Sequence, residues 1–247
     1  MPLLNEPDMD THSIQGSNYG FSAKRIGDLG ASEYTLVGIT ADVSGSVSPF
    51  RDEIEMCIKE IVSSCKHSPR ADNLMLRLSI FDNDVTEVHG FRPLSECDVD
   101  KYTGAIQIGG ITALYDAATN LIDSVARYGK DLTDNDFDCN GIVFVVTDGR
   151  DNASTFTPNK VKEALGEVIT GEALESMVSV LIGVNIQDAV VSQYLQDFHQ
   201  DAGFTQYVEL GNADEKTLAK LADFVSQSIS AQSQSLGTGG PSQSLTF

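Results

Sequence analysis

No apolar run in this 247-residue chain approaches the roughly 20 residues that a bilayer span requires, so the sequence offers no membrane anchor. Basic residues are scarce: 16 Lys and Arg stand against 36 Asp and Glu, a formal net charge of −20. That balance repels phosphate backbones and anionic lipid surfaces, and it argues against nucleic acid or membrane as a direct partner. It suits cations, basic protein surfaces and plain solubility. Cysteine is sparse and shows no paired spacing. Cys57 and Cys65 fall on the apolar stripe of a helix, Cys97 and Cys139 in polar segments, so neither a disulfide framework nor a zinc site is implied. The 4 histidines, His12, His67, His89 and His199, are scattered and make poor candidates for catalytic bases. There is no Walker-type glycine loop and no Gly-x-Ser-x-Gly elbow. Residues 1–10 carry Glu6, Asp8 and Asp10 and lack the basic start and apolar core of a secretory signal. The expected compartment is the cytoplasm.

What remains is the composition of a globular α/β domain, 41% hydrophobic and 21% charged. Residues 1–32 mix Pro, Gly, Asn and Ser without a period and read as an irregular arm. Residues 33–229 read as one domain. Residues 230–247 are rich in Ser, Gln and Gly, carry no charge, and read as a tail.

Within the domain, strands alternate with helices. Tyr34–Ala41 is a buried strand, followed from Ser48 to Lys66 by a helix whose apolar face is Ile54, Cys57, Ile58, Ile61, Val62 and Cys65. Pro49 suits its first turn. Asn73–Phe81 and Val85–Phe91 form a hairpin across Asp82-Asn83-Asp84, where the turn reading of the two acids outweighs a metal reading. A glycine-bearing loop, Gln107–Ala113, leads into a helix. The acidic stretch Asp134, Asp136, Asp138 fails as a calcium loop, because Cys139 stands where the glycine belongs and Val145 where the last acid belongs. Gly141–Thr147 and Val178–Asn185 are further buried strands, and Gln206–Leu210 is a short edge strand. The pattern predicts a Rossmann-like, doubly wound, mostly parallel sheet with helices on both faces.

Against that frame three polar stations stand at strand ends: Asp42, Ser44 and Ser46; Thr112 at a helix start; and Asp148. Each residue alone is most simply a helix cap or a turn residue. Together they are hard oxygen donors without His or Cys, which suits an octahedral Mg2+ or Mn2+ ion and disfavours zinc, copper and iron–sulfur chemistry.

Asp42-x-Ser44-x-Ser46, Thr112 in a Gly-Gly-Ile-Thr loop, and Thr147-Asp148-Gly149 resemble, in order and station, the metal-ion-dependent adhesion site (MIDAS) of von Willebrand factor A (vWA) domains. The resemblance spans roughly Glu33 to Ile229. It implies a vWA fold with one antiparallel edge strand. It also implies that Ser44 and Ser46 ligate the metal directly, Thr112 directly or through water, and Asp42 and Asp148 through water or as close support. The function implied is non-enzymatic: capture of a partner's Asp or Glu by the Mg2+ or Mn2+ ion. Bacterial and phage intracellular members, which this chain resembles, imply assembly or chaperone-like work beside an AAA+ ATPase, here necessarily a separate chain. Two other readings stay open. One is a self-assembling virion or filament component, docking through its tail. The other is a Mg-dependent hydrolase, for which the sequence supplies neither a second acid at Ser44 nor a nearby base.

Overall fold

The computed structural model describes residues 8–14, 19–104, 106–171, 173–211 and 214–235. Eight strands form one sheet: β1 (Met9–Ser13), β2 (Gly20–Lys24), β3 (Glu33–Asp42), β4 (Leu74–Phe81), β5 (Val85–Pro93), β6 (Asp138–Thr147), β7 (Ser176–Val184) and β8 (Gln206–Leu210), in the order β1-β2-β5-β4-β3-β6-β7-β8. β4, β3, β6, β7 and β8 run parallel, β5 lies antiparallel on β4, and β1 closes that side antiparallel to β2. The helices are α1 (Arg51–Lys66), α2 (Leu114–Thr133), α3 (Pro158–Thr170), α4 (Ala189–Ala202) and α5 (Glu215–Ser235).

Alternation along β3 shows how the layers form. Val37, Ile39, Ala41 and Val43 join the apolar cluster under α1 and α5, while Tyr34 and Leu36 join the cluster under α2, α3 and α4. Both faces are covered, which is why the parallel strands read as continuous apolar runs. The α/β architecture is that expected from the sequence. Among the described residues no helix is long and apolar enough to cross a membrane.

Three local readings change. The helix expected from Ser48 begins as a 3-10 turn, Gly45–Phe50, which contains Pro49; α1 itself starts at Arg51. The arm expected over residues 1–32 contains β1 and β2, which extend the sheet past β5. These strands are too short for their alternation to show, and they are held by long-range contacts. Glu87 accepts hydrogen bonds from the Ser22 amide at 3.0 Å and the Ser22 hydroxyl at 2.6 Å, and Tyr128 Oη donates to the Lys24 carbonyl at 2.8 Å. Gly90 permits the approach, since a Cβ there would stand 2.0 Å from the Ser22 carbonyl oxygen.

The tail expected from Ser230 is helical through Ser235. Gln232 is buried against the sheet. Its Nε2 donates to the Gly141 carbonyl at 2.9 Å, its Oε1 accepts from Ser176 Oγ at 3.2 Å, and its carbonyl accepts from Asn140 Nδ2 at 2.7 Å. A segment of Ser, Ala and Gln, poor in apolar side chains, is thus anchored by polar bonds instead. The remainder of that tail, 236–247, and with it the docking role expected of Leu245-Thr246-Phe247, lies outside the described residues.

His89, on β5, is a core residue. It bonds the Gly90 carbonyl through Nδ1 at 3.0 Å and Tyr102 Oη through Nε2 at 2.9 Å. Burial, with Arg92 and Arg77 nearby, pulls its pKa down from 6.5 to about 3. The folded state therefore keeps His89 neutral while the unfolded chain takes up a proton below about pH 6.5. Its contribution is complete above that pH and is lost as pH falls toward 3. Between pH 7 and pH 5, urea unfolding should show the wild type losing about 2 kcal/mol more than His89→Gln. Equal losses in the two proteins would refute this assignment.

Candidate metal centre

β3 and β6 are neighbours, but the chain leaves them in opposite directions across the sheet, to β4 on one side and β7 on the other. In an open parallel sheet this reversal leaves a crevice at the carboxyl ends of the strands. Asp42 ends β3, and Asp148 follows Thr147 at the end of β6.

The side chains form a bonded chain. Asp42 Oδ1 accepts the Ser44 amide at 2.9 Å and Asp42 Oδ2 accepts Thr147 Oγ1 at 2.7 Å. Ser44 Oγ lies 3.1 Å from Ser46 Oγ, which donates to Asp148 Oδ1 at 3.0 Å. Asp42 and Ser44 are buried, Asp148 is half-buried and Ser46 is exposed, so the group has a closed floor and an open mouth.

Thr112 makes no side-chain bond to these five residues, but its loop is tied to both of theirs. Gly109 N–H donates to the Val43 carbonyl at 2.9 Å and Gly45 N–H to the Gly110 carbonyl at 3.1 Å. The Thr112 amide donates to Asn152 Oδ1 at 2.7 Å, and the Asn152 amide returns a bond to the Thr112 carbonyl at 2.9 Å. Gly110 has φ +73, and a Cβ there would meet Asn83 Oδ1 at 2.3 Å. Only glycine lets the loop pass this close.

The capping explanation, the simplest one for each residue alone, does not hold for the hydroxyls. Ser44 occupies the N-cap of the 3-10 turn, yet its side chain makes no cap bond. The N-cap of α2 is Ala113, also without a side-chain bond; Ser154 Oγ takes the Tyr115 and Asp116 amides at 3.0 and 3.1 Å. Thr112 is therefore free of the duty that its position would ordinarily assign to it.

The charges point the same way. Burial raises the Asp42 pKa to about 6, against the pull of its Ser44 and Thr147 bonds, and the nearby Asp148 raises it further. Burial also raises Asp148, offset in part by Ser46. Neither carboxylate forms an ion pair among the described residues. A buried and a half-buried acid that repel each other and lack a basic partner fit a cation. Among the described residues no three His, Cys, Asp or Glu side chains cluster as a metal group, so any ion here depends on the neutral hydroxyls, a donor set that suits Mg2+ or Mn2+.

Thr147, Asn83 and Asn152 are the parts that sequence reasoning missed as working residues. All three follow or end strands beside polar turns, and Asn at such positions is a signal for side-chain bonds to backbone. The histidines stand apart: His89 is in the core, and His12 stacks on Phe21 at 4.8 Å between ring centroids. Asp82 behaves as the turn residue expected, its Oδ1 accepting the Asp84 amide at 3.1 Å.

No protein-family model matches this sequence, and no curated protein is similar to it. Solved structures are similar in fold. The PilB minor pilin from Streptococcus sanguinis, in its D319A form, superposes with a TM-score of 0.60 at 14% identity, over 88% of this chain and 66% of that one. The pilus adhesin SpaC from Lactobacillus rhamnosus GG gives 0.56 at 10% identity, over 91% and 35%. Proximal thread matrix protein 1 from the mussel byssus, in a structure with a zinc-occupied MIDAS motif, gives 0.53 at 17% identity, over 79% and 46%. This chain spans less than two thirds of the length of each. At these identities the likeness is one of fold, and in that fold the chain stands with a pilin, a pilus adhesin and a byssal matrix protein.

Proposed function

We propose that this chain is a non-enzymatic interaction module of the vWA type, which captures a carboxylate of a protein partner through a divalent cation. Ser44, Ser46 and Thr112 would hold the ion through their hydroxyls, with Asp42 and Asp148 supplying the negative charge behind them. The observation that carries this reading is the combination at one crevice of hydroxyls at helix starts that cap nothing with two carboxylates that lack a basic partner. A bound Mg2+ or Mn2+ supplies a Lewis-acidic position open to an outside Asp or Glu. Thr147 and the Ser44 amide orient Asp42, Ser46 orients Asp148, and Asn152 Oδ1, accepting the Thr112 amide, fixes the loop that carries Thr112. The zinc-occupied MIDAS of the byssal protein supports divalent-ion binding in this fold.

The test is calorimetric titration of the full chain with Mn2+ and Mg2+, followed by addition of the peptide Ac-Gly-Gly-Glu-Gly-NH2 with Mn2+ or with EDTA. Saturable Mn2+ binding, and peptide binding only with Mn2+ present, are expected. A protein that binds neither ion would end this reading.

Components of pili and byssal threads among the similar folds favour a second reading, in which the partner is another copy of this chain offering an acid from its own −20 surface. Light scattering would then show mass growing with Mn2+ and reverting with EDTA, whereas an unchanged mass would leave only a foreign partner. An AAA+ ATPase remains one such foreign partner within the proposal.

A further inference from the structure

Asp148 has a second surface. It also lines a cavity of about 280 Å³, together with Phe50, Asn185, Ile186, Gln187, Asp188 and Val191. Three of these, Phe50, Ile186 and Val191, give it an apolar part. The polar wall is pre-formed. Asn185 sits at φ +56 with its amide bonded to the Leu210 carbonyl at 2.7 Å, and Gln187 Nε2 donates to Asn185 Oδ1 at 3.1 Å. Asp188, an exposed residue, caps α4, its Oδ1 accepting the Val190 amide at 2.8 Å, and no hydrogen bond to its other carboxylate oxygen is seen among the described residues.

No basic residue lines this cavity, and Asp188 forms no ion pair among the described residues. An ion held between Asp42 and Asp148 would balance those two carboxylates but not Asp188. An apolar lining beside an unpaired carboxylate matches a side chain with a long aliphatic stem and a cationic head.

Resting on the carboxylate-capture reading, we infer that the cavity beside Asp148 receives an Arg or Lys of the same partner. The stem would lie on Phe50, Ile186 and Val191 and the head at Asp188, so that the recognised element is an acidic residue with a basic residue close to it in space. The metal position would select the acid, and the cavity would select its neighbour.

The test compares Ac-Arg-Gly-Glu-Gly-NH2, Ac-Leu-Gly-Glu-Gly-NH2 and Ac-Gly-Gly-Glu-Gly-NH2 on the full chain, with Mn2+ and with EDTA. The proteins are the wild type and Asp188→Asn. Asn caps a helix as well as Asp does, so this variant removes the charge and keeps the fold. With Mn2+ the arginine peptide should bind about tenfold tighter than the glycine peptide, the effect of one charge-assisted hydrogen bond. In Asp188→Asn that advantage should vanish, with Mn2+ affinity and melting temperature unchanged. Mn2+-dependent binding that is equal for the three peptides, strongest for leucine, or still arginine-selective in Asp188→Asn overturns this inference and leaves carboxylate capture standing. Binding of no peptide above its EDTA level overturns both. Arginine selectivity that persists in EDTA and still depends on Asp188 overturns capture alone and keeps the basic-residue cavity.

Discussion

Glu87→Ala should destabilise the protein by about 3–5 kcal/mol in urea unfolding, because it strands a cation in the core. Arg77 is fully buried on β4. Its Nε donates to Glu87 Oε2 at 3.0 Å, its Nη1 to Ser124 Oγ at 3.2 Å and its Nη2 to Asn120 Oδ1 at 3.0 Å. Without Glu87 the guanidinium keeps two neutral acceptors and no counter-charge. The same carboxylate accepts the Ser22 amide and hydroxyl, so its loss also loosens β2 on β5, leaving the Ala23–Phe91 strand pairing and the Phe21–Phe91 ring contact. Set against a typical total stability of about 5–15 kcal/mol, the loss is large. Amide exchange across Gly20–Lys24 should accelerate in this variant before that of β3 and β6 does. Arg77→Met combined with Glu87→Leu should recover part of the stability, since a buried ion pair can be exchanged for apolar packing at little cost. The recovery is incomplete because the Ser22 amide and Asn120 Oδ1 lose partners, at about 1–3 kcal/mol for each buried group left unsatisfied, whereas Ser124 Oγ keeps its bond to the Leu121 carbonyl at 2.7 Å. A Glu87→Ala protein as stable as the wild type would show that the ion pair does not hold this corner.

Asp42→Asn should have opposite effects on stability and on metal binding. The folded-state pKa of about 6 lies above the ordinary 3.8, so the contribution of this group is fully present below pH 3.8 and is lost as pH rises through 6. At pH 7 without metal, the buried charge costs up to about 3 kcal/mol. Removing it should raise the melting temperature of the metal-free protein. Mn2+ affinity should fall more than about 100-fold, and Mn2+ should no longer stabilise the variant against heat. Thr147→Val takes away only the hydroxyl that orients Asp42, and should cost about 10- to 100-fold in Mn2+ affinity. An Asp42→Asn variant that is less stable than the wild type without metal, and equal to it in Mn2+ binding, would mean that Asp42 serves only to close the β3 loop.

The candidate site residues stand out in the sequence alone. Asp42, Ser44, Ser46, Thr112 and Asp148 are oxygen-bearing residues at the ends of apolar runs, and both the runs and their ends are local features of the chain. The structure links four of them by hydrogen bonds and places the loop of Thr112 alongside. Whether their hydroxyls were caps could not be read, because that depends on whether another residue caps the helix instead. Ser154 does so for α2 from 40 positions beyond Leu114, a distance over which sequence pattern carries no information.

By itself, then, the sequence determined the alternation of strands and helices, the two covered faces of the sheet, and the oxygen-rich character of its C-terminal edge, since all three follow from residue type and short-range period. Tertiary structure alone decided that β1 and β2 belong to the sheet, that Gln232 anchors the end of α5, that Asp42 and Asp148 share one crevice without a basic partner, and that a cavity opens beside them. Each of these rests on hydrogen bonds or burial between residues far apart in the chain, and such pairing is fixed only when the whole domain closes around its core.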